Sequence, residues 1–248
     1  MPRYPSPSRV SYTFGPGPLT PAVKALIWIN IGMFLVPLVI PQISWYLALV
    51  PAAVIERLFI WQPLTYMFLH DGVFHIVLNM LMLWMFGTDL ERAWGTRFFA
   101  RYYAVTGIGA AAATILASLV PSRFSDVLYL TPTVGASGAI YGLLVAYGLS
   151  FPNRPVYLYL LFPVPARVFV LIMGAIELLS SISGGRSNIA YSAHLGGLVV
   201  GYLYLRLRRG NLLADIRYRI AKARMSRARR RFDVHRGGRG SGGDGWVH

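Results

Sequence analysis

The chain has 248 residues, 55% of them hydrophobic and only 13% charged, with a mean hydropathy of +0.51. A soluble domain carries about 25% charged residues, so extensive disorder is excluded and a soluble enzyme is disfavoured. The net charge is +15, but 13 of the 24 Lys+Arg lie from Arg206 onward, against three Asp. There are no cysteines, which excludes disulfides, thiol catalysis and Cys-ligated zinc.

Met1–Thr20 has prolines and two arginines but no apolar run leading to a cleavage site, so no removable signal peptide is expected. A spanning helix needs about 20 mostly apolar residues. Taken in chain order, the uncharged runs predict six. Helix 1 covers Ala25–Ile40 and extends toward Trp45. Helix 2 covers Gly72–Thr88, between Asp71 and Asp89. Helix 3 covers Tyr102–Pro121 and helix 4 Ser137–Phe151. Pro152, Pro155, Pro163 and Pro165 mark a connector. Helix 5 covers Arg167–Ser183 and is broken by Gly184-Gly185. Helix 6 covers Ala190–Leu207. The fold class expected is an all-α membrane protein, with a membrane domain over 21–207 between an N-terminal segment, 1–20, and a basic tail, 208–248.

Lys and Arg favour the cytoplasmic side of a membrane. With both termini cytoplasmic, the short inside segments hold eight basic residues, and the outside segments hold Arg57, Arg123 and Arg186. The segment Pro41–Asp71 is too long for a turn. Its Trp45, Tyr46, Phe59, Trp61, Tyr66 and Phe68 predict a structured element in the outer leaflet. The tail carries Leu212, Leu213, Ile216 and Ile220 on one helical face. It reads equally as a lipid-surface helix or as a solvated tail that fixes topology. Its Arg-Gly-Gly-Arg-Gly end does not support nucleic-acid binding.

Polar residues at membrane depth are rare and usually functional. Helix 2 carries His75 and Asn79, with His70 just before it. Helix 4 begins at Gly135-Ala136-Ser137-Gly138, helix 5 holds Glu177 and helix 6 holds His194. In the N-in topology, helices 2, 4 and 6 all start at the outer face. At about 1.5 Å per residue, His75, Asn79, Ser137 and His194 share one level to within about 10 Å.

His75 and Asn79 are i,i+4 on one face. Gly138 and Gly142 form a small-residue stripe on helix 4, and Ala193, Gly197 and Gly201 form one on helix 6. Such stripes let backbones approach closely, which would bring Ser137 beside His194. Tyr141, four residues after Ser137, is placed to pack against the imidazole.

Taken singly, Ser137 reads as helix packing, His194 as a core histidine and Asn79 as interhelical glue. The three histidines could also hold a metal, although no His-Glu-x-x-His is present. The shared depth favours nucleophilic chemistry, with Ser137 as nucleophile and His194 as general base. With no carboxylate expected at this level, the pair is a dyad. Ser137 at a helix N-terminus has free N–H groups for an oxyanion, and Asn79 and His75 are candidate further donors.

These residues resemble the rhomboid intramembrane serine proteases. Trp61 to Asn79 is similar to that family's His-x4-His-x3-Asn segment with its preceding Trp. Leu90 to Gly95 is similar to its loop after helix 2. Gly135-Ala136-Ser137-Gly138, followed by Tyr141, resembles its Gly-x-Ser-Gly motif, and Ala193-His194-Leu195-Gly196-Gly197 its Ala-His-x-x-Gly motif. The likeness covers roughly Thr20 to Arg208. It implies a six-helix rhomboid-like bundle with a cavity opening outward that hydrolyses transmembrane protein substrates without a cofactor.

The resemblance also implies roles: Ser137 and His194 as the dyad, Asn79 and His75 as oxyanion stabilisers, and His70 as a loop anchor. Some members carry Arg where this chain has Gln62. The alternatives are a catalytically silent relative that binds membrane clients and, behind it, a transporter using the same groups as a proton path. The presence of both Ser137 and His194 argues against the first. A multi-pass protein of a bacterial plasma membrane is expected.

Overall fold

The computed structural model describes residues 15–122, 125–158, 162–183 and 188–208. Most of the basic tail, the Gly184-Gly185 break, Arg123 and Arg186 lie outside the described residues. Contacts group the chain up to Leu205 as one unit, and of the second only the end of one helix is described.

Helix α1 (Pro21–Val39) starts four residues before the expected helix 1, with Pro21 in the first turn, where its missing N–H costs nothing. Its orphan N–H groups are capped from another helix. Glu91 accepts from the backbone N–H of Ala22 at 2.9 Å and of Val23 at 3.0 Å, and from the Thr20 hydroxyl at 2.5 Å. Apolar side chains on the outside of α1, among them Trp28, Ile29, Leu35 and Leu38, are exposed, as expected of a helix whose surroundings are lipid.

The aromatic segment after α1 folds into three short helices, α2 (Ile43–Leu47), α3 (Pro51–Glu56) and α4 (Gln62–Thr65), and a 3₁₀ turn, Tyr66–Phe68. Gln62 is fully buried and latches them together. Its Oε1 accepts from the Val50 N–H at 3.0 Å, and its Nε2 faces the carbonyls of Trp45 and Tyr46 at 3.3 Å. Trp61 Nε1 donates to the Tyr46 carbonyl and the Thr65 hydroxyl to that of Leu47.

Helix 2 was expected to stop before Asp89. Instead the helical run continues from α5 (Val73–Met82) through a π turn (Leu83–Gly87) into α6 (Thr88–Trp94). Both carboxylates on α6 are satisfied, so neither ends the helix. Asp89 pairs with Arg154 at 3.0 Å and accepts from the Tyr147 hydroxyl at 3.3 Å, while Glu91 caps α1 and accepts from Thr96.

Helix α7 (Thr96–Ser118) starts six residues before helix 3 was expected, and its Arg97 and Arg101 are exposed one turn apart. Before helix 4 a short helix that the sequence did not predict, α8 (Ser125–Leu130), precedes an extended stretch. There, Leu49 and Thr133 exchange backbone hydrogen bonds of 3.0 and 2.8 Å.

Helices α9 (Ser137–Ser150), α10 (Ala166–Ser183) and α11 (Asn188–Arg208) fall within two residues of the expected helices 4, 5 and 6. The connector between α9 and α10 contains a small antiparallel ribbon that was also not predicted. In it, β1 (Pro155–Leu158) pairs with β2 (Phe162–Pro165) in the register Val156 opposite Val164. Its three prolines sit at the Pro155–Pro165 pair and opposite Tyr157, out of phase with the bonded pair Arg154–Ala166, so they remove no ladder bond.

Residues Gly138 to Gly148 of α9 are all buried, so the other helices sheathe it on every side. Among the described residues, α1 and the continuous run Val73–Trp94 are long and apolar enough to cross a membrane by length and composition.

Candidate active site

Small residues set the approach of α9, α11 and α7. A β-carbon on Gly197 would collide with the Gly138 carbonyl, and one on Gly201 would lie 3.0 Å from the Gly142 Cα. The two stripes therefore mate over two turns, with backbone against backbone. At the same level, α7 presents Ala110 to Gly138 and Thr106 to Gly142, at 2.7 and 2.6 Å from the β-carbons those glycines lack. Tyr102 on α7 locks the level by donating to the Gly142 carbonyl at 2.7 Å.

Ser137 precedes Gly138, and His194 lies three residues before Gly197. The mating of the stripes brings Ser137 Oγ to 2.8 Å from His194 Nε2. Tyr141 stacks on the imidazole, with ring centroids 4.3 Å apart and planes 16° from parallel. Ser137 is the first residue of α9, whose first-turn N–H groups have no intrahelical acceptor.

The strand-like approach to Ser137 is pinned by the aromatic segment, since the Gly135 N–H donates to the Tyr66 carbonyl at 2.9 Å. Gly135 has φ +125, a region that disfavours side chains. The volume a β-carbon would take there lies 2.8 Å from His75 Nε2 and 3.6 Å from Ser137 Oγ. His75 and Ser137 thus flank the same glycine.

Asn79 is buried on α5 and spends one amide hydrogen on the His75 carbonyl, 2.9 Å away. The other hydrogen remains for a ligand. The rings of His70 and His75 meet edge to face at 4.9 Å. Burial, with His75 adding repulsion, pushes the His70 imidazole down to about 4, so it is a neutral packing group.

Two carboxylates stand beside the candidate histidines. The expectation that no carboxylate sits at the level of the pair is corrected by Glu177 on α10. Its Oε2 lies 3.0 Å from His194 Nδ1, and its Oε1 accepts from the Tyr141 hydroxyl. The sequence placed Glu177 on helix 5 without a role in the pair. The signal, a lone carboxylate in an apolar helix, was visible in the sequence, but its partner was not, because pairing across helices cannot be read from spacing within one. The second is Asp71, whose Oδ1 is 2.5 Å from His75 Nδ1. It is i,i+4 from His75, a spacing that sequence alone offers.

Among the described residues no cluster of three or more metal-ligating side chains occurs, His70, His75 and His194 included.

Residues 58–210 match the sequence model of the rhomboid domain. Over 139 residues the chain is 34% identical to Rhomboid protein 1, mitochondrial, of Saccharomyces cerevisiae, covering 55% of this chain and 38% of that protein. It is 34% identical over 143 residues to Rhomboid protease GluP of Bacillus subtilis, covering 57% and 25%. It is 31% identical over 160 residues to Rhomboid protease AarA of Providencia stuartii, covering 58% and 54%. The chain thus spans about half or less of the length of these relatives. With the matched domain extending over more than half of its residues, the chain belongs to the rhomboid family of multi-pass membrane proteins, which includes serine proteases.

Proposed function

We propose that the chain is an intramembrane serine endopeptidase that cuts transmembrane protein substrates near the outer membrane face. The observation that carries this reading is the 2.8 Å contact between Ser137 Oγ and His194 Nε2 at the N-terminus of α9. Ser137 Oγ attacks the scissile carbonyl carbon as His194 Nε2 takes its proton. The same proton then passes to the leaving amine, and water repeats the sequence to release the acyl group. The developing oxyanion is met by the first N–H groups of α9, with Asn79 and His75 as side-chain donors.

Depth follows from length. A 14-residue helix is about 21 Å long, shorter than a hydrocarbon core of about 30 Å. An α9 that reaches the inner surface therefore leaves Ser137 recessed a short way below the outer one. In this reading six spans cover 21–207, and both termini are cytoplasmic in a bacterial plasma membrane. A substrate helix arrives with its backbone bonds satisfied, so segments that unwind near the outer surface are favoured.

The test incubates purified full-length chain, reconstituted in liposomes, with a reporter bearing one transmembrane span. Cleavage in the outer third of the span by the wild type, and none by Ser137→Ala, is expected. A reporter bound but left whole by the wild type would instead identify a silent client-binding protein. Proton flux without cleavage would identify a transport path.

A further inference from the structure

Nδ1 of His194 and Oε2 of Glu177 are both buried, and neither has another hydrogen-bond partner. They lie 3.0 Å apart, with the two side chains 15% and 8% exposed. The contact thus stands at ion-pair distance. An orphaned buried donor facing an orphaned buried acceptor is a costly arrangement unless the two serve each other. The carboxylate is itself held: the Tyr141 hydroxyl donates to Oε1 while the Tyr141 ring stacks on His194. Three helices thus fix one imidazole, with Ser137 and Tyr141 from α9, Glu177 from α10 and His194 from α11.

A carboxylate only accepts, so a proton facing Glu177 must sit on Nδ1 of His194. Nε2 is then the lone-pair nitrogen, the form needed to accept the Ser137 proton.

We propose that Glu177 is a positioning residue that holds His194 in the Nδ1–H tautomer and offsets the positive charge the ring gains when Ser137 attacks. This rests on the proteolytic reading above and extends it from a pair to a triad. In the step, the Ser137 Oγ–H bond breaks as the bond from Oγ to the scissile carbon forms. The proton moves to Nε2 and later to the leaving amine. Glu177 stays ionised throughout and takes no proton.

The test uses the full chain in detergent, labelled with [15N]histidine, with His194 assigned by comparison with His194→Ala. Glu177→Gln keeps an oxygen for Tyr141 and the side-chain shape, removes the charge and can offer an N–H to Nδ1. The groups that titrate or carry charge around the ring are Glu177 from α10, Tyr141 from α9 and Tyr191 on α11, which acts electrostatically on Tyr141. Helix α7 packs on α11 through Ala110 and Ala113, and its Thr114 hydroxyl bonds Ser192.

Glu177→Gln, whose amide can offer an N–H to Nδ1, should therefore shift the ring toward the Nε2–H tautomer. Cleavage should fall by about 10²- to 10⁴-fold, in kcat rather than KM, as expected when a base is held in the wrong tautomer. Glu177→Asp should recover part of it. Tyr141→Phe, which leaves the carboxylate in place, should keep the wild-type tautomer.

An unchanged tautomer in a Glu177→Gln chain of normal melting temperature would overturn the proposal. So would equal loss in the Gln and Asp variants with the wild-type tautomer. Because the spectra need no turnover, a wild type that cleaves nothing defeats the proteolytic reading while they still decide the role of Glu177.

Discussion

Gly197 on α11 lies so close to the Gly138 carbonyl on α9 that the space a β-carbon needs is already taken. The contact is one residue from Ser137 and three from His194, so the glycines set the reach of the Ser137–His194 hydrogen bond as well as the helix packing. Gly197→Ala must push the helices apart. Overpacking of this kind costs about 1–3 kcal/mol, and a displacement of about 1 Å at a reacting pair can cost about 10²-fold in rate. A lower melting temperature and a rate loss of that order are expected. Gly32→Ala, inside α1 where nothing lies within 4 Å, is the control and should leave the rate unchanged and the melting temperature no lower.

The two side-chain oxyanion candidates should respond differently. The 2.5 Å contact with Asp71 puts a proton on His75 Nδ1. Asp71→Asn removes the carboxylate that holds the ring in place, and His75→Ala should add little further loss on top of it. Asn79→Ala should cost about 10²- to 10³-fold, as for one preorganised donor, and less than Ser137→Ala. The check is cleavage kinetics of the three single variants and the Asp71/His75 double. Full additivity of Asp71→Asn and His75→Ala would contradict the shared role.

Gln62 holds α2, α3 and α4 together from a fully buried position. Gln62→Leu leaves the Val50 N–H buried without an acceptor, which costs about 1–3 kcal/mol. Thermal melting should fall accordingly, and hydrogen exchange at Val50 should rise. Unchanged protection at Val50 would show that the latch lies elsewhere.

His70 gives a pH dependence of known sign. Burial lowers its imidazole from 6.5 to about 4, so the unfolded chain takes up this proton first as pH falls. Its contribution to stability is complete above 6.5, shrinks as pH drops through that value and is lost by about 4. Melting temperatures measured over this window should decline less steeply in His70→Gln than in the wild type. Parallel slopes would contradict a neutral, buried His70.

Sequence carried the ends of α9, α10 and α11 because each is flanked by glycine, proline or charge, the signals that stop a helix. It carried the approach of Ser137 to His194 because the two glycine stripes are regular within their own helices. It misplaced the end of helix 2 because Asp89 and Glu91 look like boundary charges until Arg154, Thr20 and Thr96 arrive from elsewhere to satisfy them. The Glu177 pairing was invisible for the same reason: α10 and α11 set it together, and neither sequence encodes the other's rotation. The ribbon of β1 and β2 was read as mere connector because proline argues against strands, yet prolines at its non-bonded pairs cost it no hydrogen bond.

The most direct test of the central claim is covalent capture of the nucleophile. A fluorophosphonate reacts with a serine whose proton a neighbouring base removes, and is inert toward ordinary hydroxyls. Treatment of the reconstituted full chain should leave one phosphonyl group on Ser137, located by mass spectrometry of its peptide, and His194→Ala should abolish it. A folded wild-type chain that takes up no label at Ser137, or takes it up equally without His194, would contradict the account.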